Sequence, residues 1–121
     1  MEKTPPDARL LIGDVALEEW SRRNGQGVLD LGRAWTEWTG KPFVYAVWAL
    51  GPKVQPELSE LDRFREACGK GIQKRGEIAG DEKEREYLMH CIRYGLGVEE
   101  KEGLAEFAQR SGLGKVEIEW L

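Results

Sequence analysis

A chain of 121 residues suits one domain, or part of a larger one, and can bury roughly two-thirds of the surface it exposes when unfolded. Its composition, 40% apolar and 33% charged, is that of a globular protein rather than a disordered one. The 18 basic and 22 acidic residues are interspersed and sum to a net charge of −4, which excludes the clustered Lys and Arg of a nucleic-acid face.

No uncharged apolar run approaches the roughly 18 residues that a membrane span requires. The opening residues "MEKTPPDAR" carry no apolar core of the signal-peptide kind. Cys68 and Cys91 both fall inside predicted helices, which reads as a reduced, cytoplasmic chain.

In chain order, "RLLIG" (9–13) predicts a short buried strand. Asp14 then offers a carboxylate to cap a helix over "VALEEWSRR", ended by Asn24-Gly25. "GVLD" (27–30) predicts a second short strand, and Asp30 caps the next helix. Leu31, Ala34, Trp35 and Trp38 follow i, i+3, i+4, i+7 spacing, so this helix carries two indoles on its apolar stripe. Gly40 fits the left-handed residue after a helix, and Pro42 forbids continuation. "FVYAVWAL" (43–50) is eight apolar residues rich in aromatic and β-branched types, which predicts a strand buried on both faces.

The remainder reads as helical. Residues 56–74 place Leu58, Leu61, Phe64, Cys68 and Ile72 along one stripe, with Gly69 and Gly71 weakening its end. Asp81 with Glu84 predicts a capped start for a helix that turns Leu88, Cys91 and Ile92 inward. Residues 98–111 form a last helix, with Leu104, Phe107 and Ala108 inward and Gly112 as its stop. The tail "KVEIEWL" predicts a short strand. The fold class expected from this order is α/β.

Chemistry-bearing residues are few. Gly13-Asp14 sits where a strand gives way to a helix, the place where α/β folds collect ligands and where a helix start favours anions. The plainer reading is that Asp14 only caps. The tryptophans of 35–48 form either an aromatic pocket or core packing. His90 and Cys91 adjoin, but one histidine and two distant cysteines fall short of a zinc site, so no metal is expected. No carboxylate partner for His90 stands out. "GKG" (69–71) lacks the glycine signature of a phosphate loop. The charge runs 81–86 and 99–102 read as solvated helix faces.

Three segments, "DARLLIGDVAL" (7–17), "DLGRAWTEWTGKPFVYAVWAL" (30–50) and "YLMHCIRYGLGVEEKEGLAEF" (87–107), resemble the chorismate dehydratase family of menaquinone biosynthesis by the futalosine route, in the same order and at similar spacing. The resemblance implies part of a fold like the type II periplasmic binding proteins, helix-rich, with a few strands from the hinge and one lobe. On that frame residues 1–29 end the second lobe, 30–50 form a hinge helix and return strand, and 51–121 are helices packing on the first lobe. It implies a cofactor-free loss of water from chorismate, a small carboxylate substrate, to give 3-(1-carboxyvinyloxy)benzoate.

It also places Gly13 and Asp14 against the cleft, with Phe43 and Trp48 bordering it, and leaves the catalytic base unassigned. The related 1,4-dihydroxy-6-naphthoate synthases carry a histidine where this chain has Gly13, which counts against that activity here. A third reading is a non-catalytic remnant that binds small anions. Family members are roughly twice this length, so the chain is expected to be an incomplete portion, prone to association through the surface the rest would cover.

Overall fold

The structure is a computed structural model that describes residues 7–121. It divides into two compact units, one up to Phe43 and one from Val44 onward.

The first unit is two helices and a corner. Helix α1 spans Gly13–Arg23 and follows an extended Ile12 (φ −137°, ψ 159°). Glu19 on its exposed face takes Arg22 at 2.5 Å and also pairs with Arg23, the i+3 and i+4 positions where helix side chains meet. Asn24 ends it in the left-handed conformation, φ 51°, with its N–H on the Ser21 carbonyl at 3.3 Å. Helix α2 spans Leu31–Thr39. The Asp30 carboxylate accepts the Arg33 N–H at 3.1 Å, satisfying a first-turn amide that no carbonyl reaches. Gly40 closes α2 at φ 72°, a conformation in which a Cβ is strained, and its N–H reaches the Thr36 carbonyl at 2.8 Å.

The second unit is helical throughout its regular parts. Helix α3 spans Leu58–Gln73, and the Glu60 carboxylate accepts the Glu57 N–H at 2.9 Å at its start. Gly69 and Gly71 do not stop it. The break comes at Lys74, after which α4 is a single turn, Arg75–Ile78. Helix α5, Glu82–Glu86, begins at Asp81, whose carboxylate accepts the Glu84 N–H at 2.8 Å. The Glu84 carboxylate in turn accepts the Gly80 N–H at 2.7 Å. α5 runs directly into a π-helical turn, Tyr87–Cys91, which packs against α4. Helix α6 spans Val98–Arg110. Near its start the Glu100 carboxylate accepts the Gly97 N–H at 3.0 Å and pairs with Arg93 at 2.8 Å.

This architecture overturns the α/β expectation and its periplasmic-binding-protein-like form. Among the described residues there is no strand and no sheet. The four segments expected as strands, 9–13, 27–30, 43–50 and 115–121, form no ladder with one another. A strand exists only where a neighbour takes its N–H and C=O groups, and an apolar run alone does not supply one. Gly13, expected at a strand end, belongs to α1.

The apolar stripes are right in spacing and largely uncovered. Among the described residues of the first unit only Trp35 is buried, at 8% exposure. In the second, Ala108, Gly103 and Glu100 are the buried residues among those described. On α3 Leu58 is exposed and Leu61, Cys68 and Ile72 are half-buried. No helix among the described residues is long and apolar enough to cross a membrane.

Candidate functional site

Gly13 opens α1 with φ 64°, and a Cβ there would meet nothing within 4 Å. The backbone, and not crowding, calls for glycine. Asp14 lies one residue inside the helix. The N-cap position is Ile12, so Asp14 is not the side-chain cap the sequence suggests. It is exposed, in the first turn, where a carboxylate favours the helix dipole.

Phe43 belongs to an aromatic corner built by α2. Trp35 meets Trp38 and Phe43 in T-shaped contacts, both with ring centroids at 5.8 Å and interplanar angles of 88° and 74°. Edge contacts of this kind suit the ring quadrupoles. The Trp35 Nε1–H donates to the Pro42 carbonyl at 3.3 Å. The Thr39 hydroxyl donates to the Trp35 carbonyl at 2.8 Å and accepts the Lys41 N–H at 3.2 Å. Every polar group of the turn 39–42 named here is bound to the helix that precedes it. The indole at 35 is therefore structural, and Phe43 is half-buried against it.

Trp48 lies in the second unit and is of another kind. It is 83% exposed and stacks edge-on against Phe64 of α3 at 5.2 Å. Beside it is an open, mainly apolar groove walled by Ile72, Ile78 and Leu88, with Arg75 and Tyr94. The Tyr94 hydroxyl donates to the Leu88 carbonyl at 2.8 Å, which ties the start of the π turn to the chain that leaves it. A smaller hollow in the first unit is lined by Trp20, Val28 and Ala34, together with Asp30, Arg33 and Glu37. Its charges are committed, since Asp30 caps α2 and Arg33 bonds Glu37 at 2.7 Å.

Among the expected site residues, the structure gives Gly13, Asp14 and Phe43 to the first unit and Trp48 to the second. Arg75 and Tyr94 were not anticipated. They lie 27 and 46 positions beyond Trp48, and no spacing rule links them to it. His90 does have a carboxylate near it: Glu86 stands at 3.8 Å, both side chains exposed. The i, i+4 spacing of the two was the available signal. Among the described residues no group of three or more His, Cys, Asp or Glu is gathered as a metal would need.

A family model described as menaquinone biosynthesis matches residues 1–112. The chain belongs to that family. The match takes in both helices of the first unit, the Trp35 corner, the groove and all of α6. The chorismate dehydratase of Thermus thermophilus is 30% identical over 130 aligned positions, which cover 88% of this chain and 48% of that relative. The chain therefore spans about half the length of that curated relative. No solved structure matches it.

Proposed function

We propose that this chain contributes to a chorismate dehydratase, a carbon–oxygen hydro-lyase acting in menaquinone biosynthesis. The observation that carries the reading is the identity to the Thermus enzyme of that name, within a matched menaquinone family. In the reaction a base takes a proton from a ring carbon. The C–H electron pair becomes the new ring double bond, and the neighbouring hydroxyl departs with a proton as water. The ring becomes aromatic, which supplies the driving force without a cofactor. The groups such a site needs are a base, a proton donor for the leaving hydroxyl, and hydrogen-bond donors for two carboxylates.

The backbone at Gly13 supports this reading over a naphthoate synthase. A histidine there would have to hold φ near 64°, a left-handed conformation that costs a residue with a Cβ about 1–2 kcal/mol.

The test is turnover of chorismate, followed by the appearance of 3-(1-carboxyvinyloxy)benzoate. It is run on this chain alone and together with a polypeptide matching the portion of the Thermus relative that the chain does not cover. Product from the mixture, and none from a cyclic futalosine-type substrate, is the expected result. Chorismate binding with no product in either sample would favour a non-catalytic anion-binding role instead.

A further inference from the structure

The groove beside Trp48 holds one charged group in an otherwise mostly apolar wall, and that group lacks a partner acid. Arg75 donates through Nη1 to the Ile72 carbonyl at 2.6 Å, and its guanidinium lies 5.6 Å from the centre of the Tyr94 ring. Its Nε–H is out of contact with water and has no acceptor. Arg93 reaches Glu99 and Glu100 across the start of α6, while Arg22, Arg23, Arg33, Arg65 and Arg110 each find an acid three or four residues away. At those offsets Arg75 has Gly71, Ile72, Ile78 and Ala79, none of them acidic. That enclosed Nε–H is out of an outside oxygen's reach as well, so a ligand would meet Arg75 through its terminal N–H groups, and a guanidinium's planar fork matches a carboxylate. The groove has a volume of ≈ 370 Å³, within the roughly 300–1,000 Å³ of small-molecule sites.

We infer that this groove binds a ring carboxylate, with the ring lying against Trp48, Leu88 and Tyr94 and the carboxylate on the Arg75 guanidinium. The inference deepens the hydro-lyase reading and rests on it for the natural ligand, since chorismate is a ring acid of this class. The apolar walls select the ring, and the single cation selects the charge. Neither alone defines the site.

The experiment uses the full 121-residue chain with isotope-labelled arginine. Benzoate, benzyl alcohol and acetate are the probes, and the Arg75 Nε–H resonance is the readout. Benzoate should move that resonance and bind at least tenfold more tightly than either the neutral ring or the ringless acid. Arg75→Lys should weaken benzoate at least tenfold, because a point charge cannot replace the fork. Trp48→Leu should weaken it at least threefold, and at 83% exposure the indole can be removed without unfolding the unit.

If Arg75→Lys loses its helical circular dichroism, Trp48→Leu decides. Absence of benzoate binding, equal binding of benzoate and benzyl alcohol, or unchanged affinity in the folded variants overturns the inference. Benzoate bound at Arg75 with no chorismate turnover in the mixed sample leaves the groove standing and removes the hydro-lyase reading. Turnover indifferent to Arg75→Lys and Trp48→Leu does the reverse.

Discussion

Trp35 and Pro42 are joined across the end of α2 by an indole N–H to carbonyl hydrogen bond of 3.3 Å. That one contact lets a helix stop at Gly40 and the chain turn without leaving the Pro42 carbonyl or the indole nitrogen unsatisfied. Replacing Trp35 by Phe keeps a ring and removes the donor. The expected loss is about 1 kcal/mol, the net worth of one hydrogen bond plus part of the indole's packing. Trp35→Ala should cost about 3–5 kcal/mol, the range for emptying an aromatic core position. Urea unfolding followed by far-ultraviolet circular dichroism checks both. A Phe variant as damaging as the Ala variant would mean the hydrogen bond dominates and the packing argument is wrong.

Asp30 and Asp14 look alike in sequence and differ in structure. Asp30 bonds a first-turn amide, so Asp30→Ala should cost about 1 kcal/mol. Asp14 lies past the cap and acts only through the helix dipole, worth about 0.3–1 kcal/mol at low ionic strength. Asp14→Ala should therefore be the milder change, and its effect should shrink in salt while that of Asp30→Ala persists. Comparing the two midpoints at low and high salt tests this.

Glycine substitutions should split by backbone and not by space. At Gly13 and at Gly69 a Cβ would meet no atom within 4 Å. Gly13 has φ 64°, so Gly13→Ala should destabilise by about 1–2 kcal/mol. Gly69 lies within the ordinary helical backbone of α3, so Gly69→Ala should stabilise by about 0.5–1 kcal/mol. Thermal melts of the two variants should move in opposite directions.

Glu19 should titrate far below an ordinary carboxyl. Hydrogen bonds from Arg22 and then Arg23 hold it down to about 2, from an ordinary 4.5. The folded value lies below the unfolded one, so its contribution to α1 is full above pH 4.5 and is lost as pH falls toward 2. The pair is exposed, so salt should screen the effect. A carboxyl-carbon titration of Glu19 by nuclear magnetic resonance reads this directly, and a midpoint near 4.5 in low salt would remove the claim.

What sequence reveals here is what neighbours within a few residues decide. The caps at Asp30 and Asp81, the left-handed stops at Asn24 and Gly40, and the extents of α2 and α6 all depend on local chemistry, and all can be read. The cap at Asp14 was misplaced because Gly13 enters the helix through an unusual φ that a string of letters does not show. Strands depend on distant partners, and "FVYAVWAL" has the composition of one without the ladder. The end of α3 at Lys74 matches the helix read over 56–74, whereas the separate turn of α4 and the π turn carry no signal in propensity or period. In the candidate site, Trp48 is marked only by family resemblance, since its apolar run reads as a strand buried on both faces and its 83% exposure has no sign in the letters. Arg75 and Tyr94 are not marked at all, since only the fold of α4 and the π turn brings them to it.

The π turn also sets a rule for how this chain can vary in length. Its hydrogen bonds close over one more residue than those of an α-helix. Removing a single residue from 87–91 would let the segment relax into continuous α-helix and rotate everything after it by about 100°. Tyr94 would swing away from Arg75. A deletion that shortens the chain by one and makes it more regular would thus dismantle the groove in one step.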